Sequence, residues 1–224
     1  MNRLNFIELK ELSFGYTSNK TIIKRLNLKI SKDEVTSIVG SNGSGKTTLG
    51  KLMMGILKPT IGGVYILDED VSQMSLALVG SKIGYLFQNP EKHFFTNTLE
   101  EELGFILKFK DVNELSIQQQ IDELIEIFEL NHLRKSSPLL LSQGEKQRLA
   151  IATILINKPE YLILDEPTTG LDIERKRELL NQLNQLREEG IGMTVISHDQ
   201  FIIEELSQRV IKIHRGEIID DQRN

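Results

Sequence analysis

Gly40-Ser41-Asn42-Gly43-Ser44-Gly45-Lys46-Thr47 fills every fixed position of a phosphate-cradling loop, and the segments on either side give that loop the context it requires. Upstream, Val35 to Val39 is an apolar run that reads as a buried strand; downstream, Leu49, Leu52 and Met53 fit the inner face of a helix. Gly40, Gly43 and Gly45 accept backbone angles that a side chain forbids, so successive amide N–H groups can turn inward around a β-phosphate. Lys46 then sets an ammonium between the β- and γ-phosphates, and the Thr47 hydroxyl stands as a ligand for Mg2+. The helix that opens here aims the positive end of its dipole at the anion. Ser41, Asn42, Ser44 and Thr48 complete the expected nucleotide-binding stretch. These residues predict a nucleoside triphosphate site.

Outward from the loop, Phe6, Glu8 and Lys10, then Leu26, Leu28 and Ile30, alternate as short antiparallel strands broken at Gly15 and at a Thr17-Ser18-Asn19 turn. Tyr16 lies close enough in sequence to that lobe's edge to stack on a nucleotide base, although a strand-end tyrosine is more often packing. After the loop helix, Lys58-Pro59-Thr60 and Gly62-Gly63 end the helical pattern, and Val64 to Leu67 resumes as a strand. Ile83 to Phe87 is a further strand stopped by Pro90, which leaves Gln88 at a carboxyl end, where open α/β sheets bind ligands. From about Glu91 to Asn157 the pattern turns helical. Ser116 with Gln119 reads as a capping box ahead of the stripe Ile117, Ile121, Leu124, Ile125 and Phe128, and Glu100-Glu101-Glu102 as an acidic first turn. A second capping box, Ser142-Gln143-Gly144-Glu145, opens a helix that stops at Pro159.

Tyr161 to Leu164 forms a strand delivering Asp165 and Glu166. In a phosphate-loop protein that is the place for a magnesium-organising aspartate, and Glu166 becomes the candidate that deprotonates the attacking water. A helix from Ile173 to Glu189 and a strand from Met193 to Ile196 follow, bringing His198 to the same sheet edge. Val210 to Ile213 and Ile218-Ile219 close the chain as a hairpin.

With 224 residues, no cysteine and a net charge of −5 of mixed sign, the sequence argues for one folded unit in a reducing compartment and against a nucleic-acid partner. No apolar run approaches the roughly 20 residues that cross a bilayer, and Met1 to Asn5 lacks the core of a signal peptide, so any membrane role is expected to go through a partner.

The ordered set Gly40 to Thr47, Gln88, Leu141-Ser142-Gln143-Gly144-Glu145, Leu162 to Glu166, Leu171-Asp172 and His198 resembles the nucleotide-binding subunit of an ABC transporter along essentially the whole chain. The resemblance implies an α/β fold: a phosphate-loop NTPase core with a mainly parallel sheet, an N-terminal antiparallel β lobe and an inserted α-helical lobe at about 91–157, all within one domain, 1–224. It implies ATP and Mg2+ as ligands, with Thr47, Gln88 and Asp165 around the metal and Glu166, His198 and Gln88 in catalysis. It implies head-to-tail pairing with a second ABC ATPase chain, identical or not, in which Ser142 and Gly144 face the partner's γ-phosphate. Membrane-embedded transporter subunits and a place at the cytoplasmic face of the cell membrane follow from the same likeness. Gln143 and Glu145 depart from the family's Leu-Ser-Gly-Gly-Gln. Within the family, Phe87 to Glu91, Phe94-Phe95 and Thr98 to Leu103 look like the ATPases of energy-coupling-factor importers, which take up vitamins or metal ions; a generic importer or exporter subunit, or a soluble ABC ATPase, is the alternative. The surface around Asn89, Pro90, His93, Phe94 and Phe95 is expected either to receive a membrane subunit's helix or to be core of the helical lobe.

Overall fold

The computed structural model describes residues 4–17, 19–109 and 113–223. Ser18 of the expected turn and the side chain of His93 lie outside the described residues. Two sheets carry the architecture. The first is antiparallel, in the order β2 (Lys20–Ser31), β1 (Asn5–Thr17), β4 (Ile61–Ile66), β5 (Glu69–Asp70). The second runs β10 (Glu217–Arg223), β9 (Arg209–His214), β3 (Val35–Val39), β8 (Gly192–Ile196), β7 (Tyr161–Asp165), β6 (Ile83–Leu86) and is parallel except for the β9–β10 hairpin.

Alternation along the second sheet splits the core in two, because successive side chains point to opposite faces. Tyr161 and Ile163 join the cluster under the antiparallel sheet and helix α1 (Lys46–Met53), whereas Leu162 and Leu164 join the cluster under the helices that follow β6. Besides α2 (Leu76–Lys82), whose Val79 lies in the first cluster with α1, the helices are α3 (Leu99–Gly104), α4 (Glu114–Ile127), α5 (Gln143–Leu155), α6 (Ile173–Glu188) and α7 (Gln200–Leu206). Among them, α3, α4 and α5 fall between β6 and β7, so the helical stretch expected there is present as an insertion between adjacent parallel strands. Among the described residues no helix is long and apolar enough to cross a membrane.

Three local expectations are corrected. Gly15 does not break a strand: β1 runs through it, and a Cβ there would stand 2.4 Å from the Lys20 carbonyl oxygen, so glycine lets the two long strands close on each other. Gly62 and Gly63 likewise belong to β4. Ser116 does not cap α4; Asn113 does, accepting from the Leu115 N–H at 2.9 Å, because a strong Asx cap placed earlier satisfies the first turn before Ser116 is reached. Helix α2, capped by Ser75, has no counterpart in the sequence reading: its seven residues are too few to show a period.

Candidate functional site at the carboxyl edge of the parallel sheet

The loop from Gly40 to Gly45 leaves β3 and enters α1, with Gly43 at φ 78° and Gly45 at φ 106°, angles that a Cβ would strain. The Ser44 carbonyl accepts from Gly216 N–H in the β9–β10 turn at 3.0 Å, which pins the loop from outside. The Lys46 ammonium folds back onto the carbonyls of Gly40 and Ser41 at 2.8 and 3.1 Å, so the charge is held over the loop. The Ser44 Oγ is buried without a hydrogen-bond partner.

Two strands away, β7 ends in Asp165. Its Oδ1 accepts from Thr47 Oγ1 at 3.2 Å and its Oδ2 from the buried Tyr85 hydroxyl at 3.3 Å. Burial pushes the Asp165 carboxyl above its ordinary value, with the Glu166 charge adding to the rise and the bonds from Thr47 and Tyr85 opposing it. Burial, and then the Asp165 charge, also pushes the Tyr85 hydroxyl up, which keeps its proton on and makes it the donor. Glu166 follows at φ 53°, a left-handed angle uncommon outside glycine, with its N–H on the Ile196 carbonyl at 2.8 Å. That angle turns the side chain under His198, whose Nδ1 lies 2.9 Å from Glu166 Oε1, while Glu166 Oε2 is buried and unpartnered. The β7–β8 register pairs Asp165 with Ile196, so Glu166 and His198 leave the sheet side by side. Asp199, next to His198, is held by Lys176 at 2.6 Å; burial alone would raise its carboxyl, but the Lys176 and Thr168 bonds outweigh it and hold it low.

Of the residues singled out in the sequence, the fold brings Lys46, Thr47, Asp165, Glu166 and His198 to one sheet edge. Tyr16 stands beside them: its ring packs edge-on to Phe14, its hydroxyl is 3.3 Å from Thr48 Oγ1, and it is 60 % exposed. Gln88 is exposed two residues past Leu86, which pairs with Leu164, so it leaves the same edge as Glu166. Ser142 and Gly144 are elsewhere. The capping box forms as read, Ser142 N–H to Glu145 Oε2 at 2.7 Å and Glu145 N–H to Ser142 Oγ at 3.4 Å, but among the described residues no hydrogen bond joins it to the loop. Arg175 covers Gly144 closely, its Cδ 2.7 Å from where a Cβ would be.

The sequence profile of the ABC transporter family matches residues 23–169. The chain belongs to the ABC transporter family, as its ATPase domain. A putative ABC transporter ATP-binding protein of Pyrococcus horikoshii is 39 % identical over 212 residues, covering 95 % of this chain and 81 % of that one. An energy-coupling factor transporter ATP-binding protein of Methanothermobacter thermautotrophicus is 38 % identical over 215 residues, covering 95 % and 69 %. Among solved structures, CbiO1 of Clostridium perfringens, part of the ABC transporter complex CbiONQ, superposes with a TM-score of 0.90 at 30 % identity, covering 98 % and 88 %. A dimeric ATP-binding cassette bound to ADP and Pi superposes with a TM-score of 0.85 at 28 % identity, covering 97 % and 98 %. Other relatives are longer, and the chain spans 37 % of two of them.

The ABC ATPase domain also holds features that the sequence reading missed. Glu102 is 2 % exposed and accepts from the N–H groups of Phe95 and Thr96 and from Thr96 Oγ1 at 3.1, 3.0 and 2.8 Å, locking the turn ahead of α3. Its position three after Leu99 and next to Leu103, on the helix's inner face, was the available signal. The paired phenylalanines divide: Phe94 is 8 % exposed and belongs to the core, whereas Phe95 is 65 % exposed. Phe95 stacks edge-on with Phe105 at 4.5 Å and joins Tyr85, Phe87 and Ile106 around an apolar groove of about 330 Å³.

Proposed function

We propose that the chain works as one ABC ATPase domain, 1–224, with the helical stretch at about 91–157 as its moving lobe, and that it hydrolyses ATP to drive transport through membrane-embedded subunits. The observation that carries this reading is Glu166: one carboxylate oxygen is held by His198 and the other is buried and unpartnered next to Asp165. A buried oxygen without a partner costs free energy unless a ligand or water meets it. Glu166 Oε2 takes the proton of the attacking water, and His198, which orients Glu166, also reaches the γ-phosphate.

Lys46 turns from the loop carbonyls to the phosphates, the loop N–H groups and the Ser44 hydroxyl wrap them, and Tyr16 stacks on the adenine. Thr47 Oγ1 and Asp165 Oδ1, already 3.2 Å apart, are hard oxygen donors and fit Mg2+, which takes few protein ligands and fills its shell with phosphate and water. Gln88 joins them from the neighbouring strand end. A Mg2+ held there would supply charge neutralisation for the bound phosphates.

Ser142 and Gly144 serve the ATP of a second ABC chain paired head to tail; their separation from the loop within this chain supports that, as does the dimeric form of a cassette 28 % identical. The apolar groove with Phe95 on its wall receives a short helix of a membrane subunit, which puts the chain at the cytoplasmic face of the membrane. An energy-coupling-factor type of importer is the finer reading, supported by the likeness to a relative and a solved structure of that kind. Light scattering of Glu166→Gln with ATP and Mg2+, alone and with any paralogous ABC chain, is expected to show a dimer; a monomer under every condition overturns the composite site. His198→Ala is expected to lower turnover more than ATP binding, and equal losses would make the histidine merely structural.

A further inference from the structure

We propose that Tyr85 is a positioning residue for the Asp165 carboxylate, fixing it so that Oδ1 faces Thr47 and the metal. The inference rests on the reading of this edge as an ATP and Mg2+ site. A carboxylate turns easily about its last torsion, whose energy wells are broad and two-fold, so a metal ligand of this kind needs a second partner to hold its plane. Asp165 has one. The Tyr85 hydroxyl donates to Oδ2 at 3.3 Å, on the opposite oxygen from Thr47.

The tyrosine is itself held. It is buried on β6, adjacent to β7 in parallel register, and its ring packs at a tilt on Phe87 with centroids 4.5 Å apart. Its hydroxyl fits a space left by Gly50 in the middle of α1: a Cβ there would stand 2.9 Å from the hydroxyl oxygen and 3.2 Å from ring carbon Cε2. Glycine inside a helix is unfavourable relative to alanine, and at this position the room it leaves is shared by the Tyr85 hydroxyl and by Ile196 Cδ1, the latter also 2.9 Å from where a Cβ would be. Phenylalanine would fill the same apolar volume, so a packing role alone does not call for the hydroxyl.

The test titrates a fluorescent ATP analogue into the full chain, in EDTA and across a Mg2+ series, for the wild type, Tyr85→Phe, Gly50→Ala and the double variant, with a thermal melt of each. Tyr85→Phe is expected to raise the Mg2+ concentration at half-effect about ten- to a hundredfold, the range for losing a hydrogen bond that orients a metal-binding carboxylate, and to leave binding in EDTA unchanged. Gly50→Ala, which crowds the hydroxyl, is expected to do the same, and the two changes together to fall short of the product of their separate effects. An unchanged Mg2+ response in Tyr85→Phe overturns the proposal. Equal loss in EDTA and in Mg2+ also overturns it, as the mark of a packing role. If Tyr85→Phe does not fold, Gly50→Ala decides in the same two ways. A wild type that gains nothing from Mg2+ overturns instead the underlying reading of the site, which the wild-type arm alone reports.

Discussion

The loop at Gly40–Thr47 and the segment at Leu141–Glu145 each open a helix with its N-terminus free for an anion, yet they are tied into the molecule in different ways. The loop is bonded to residues far along the chain: Thr47 to Asp165, and Ser44 to Gly216 in the closing hairpin. Among the described residues the segment's hydrogen bonds run within itself, through the Ser142–Glu145 box, with the His132 ring 3.9 Å from Glu145 Oε1 and Arg175 packed over Gly144, and Leu139 and Leu140 just before it are 60 % and 86 % exposed. A site completed by its own chain is finished in the folded monomer, whereas one hydrogen-bonded within its own turn presents a finished helix end to something else. The difference separates residues that act within the chain from those proposed to act across an interface, and substitutions on each side break it in different observables.

The largest effect is expected on the loop side. Glu166→Gln keeps the shape and the His198 contact but removes the base, so turnover in the assembled complex is expected to fall by about 10² to 10⁴ while ATP still binds. Near-normal turnover would remove Glu166 from the role of base and leave its left-handed backbone without a chemical reason.

The division between tied-in and left-over groups also runs between two adjacent residues. Phe94 is enclosed in the helical cluster, and Phe94→Ala is expected to cost about 3 to 5 kcal/mol of stability. Phe95 has its backbone clamped by Glu102 and its ring in the groove, so Phe95→Ala is expected to stay within about 0.5 kcal/mol of the wild type and to uncouple the chain from the membrane subunit proposed to bind there. A thermal melt of the two isolated variants checks this, and similar losses in both would count Phe95 as core.

Ser142→Ala sharpens the contrast, because it removes a cap that matters locally and a hydroxyl proposed to matter across the interface. Loss of the cap costs about 1 kcal/mol of stability. ATP-driven pairing is expected to fall by more than that cost explains, and a loss of pairing no larger than the loss of stability would leave Ser142 as a cap only.

How far the sequence reaches follows the same line between local and distant. The loop, the Ser142 box and the strand ending in Asp165 were legible because each is a contiguous pattern whose geometry follows from its own residues. That Glu166 would sit under His198, two strands past the loop, was legible only as a shared sheet edge; the 2.9 Å contact needs the β7–β8 register, which no short segment encodes. Tyr85 on Asp165, Arg175 over Gly144 and the inward turn of Glu102 were not read at all, since each depends on which neighbour a fold delivers. Ser116 shows the opposite failure: a correct local pattern lost to Asn113, an equally good cap placed three residues earlier.

The smallest and most specific effect concerns Glu145, one of the two departures from the family's usual signature. Burial alone would raise its carboxyl, but the hydrogen bonds from Ser142, with the charges of Arg148 and Arg175, outweigh it and hold the carboxyl below its ordinary value. A depressed carboxylate contributes stability above its unfolded value, near about 4.3, and loses it as pH falls through the folded value. Glu145→Gln keeps an oxygen for the Ser142 N–H and removes the charge from the helix N-terminus. It is expected to cost a few tenths of a kcal/mol at neutral pH, the size of one charge at a helix end, and nothing once the wild-type carboxylate is protonated. Melts of both forms at pH 7 and in acid strong enough to protonate the folded carboxyl check the sign, and a deficit that persists after that protonation would mean that the amide fails as a cap. For pairing the expectation reverses. If this helix end meets the partner's γ-phosphate, a carboxylate there repels it, so Glu145→Gln is expected to strengthen ATP-driven dimerisation while slightly weakening the fold. A change that weakened both would return Glu145 to a purely local role.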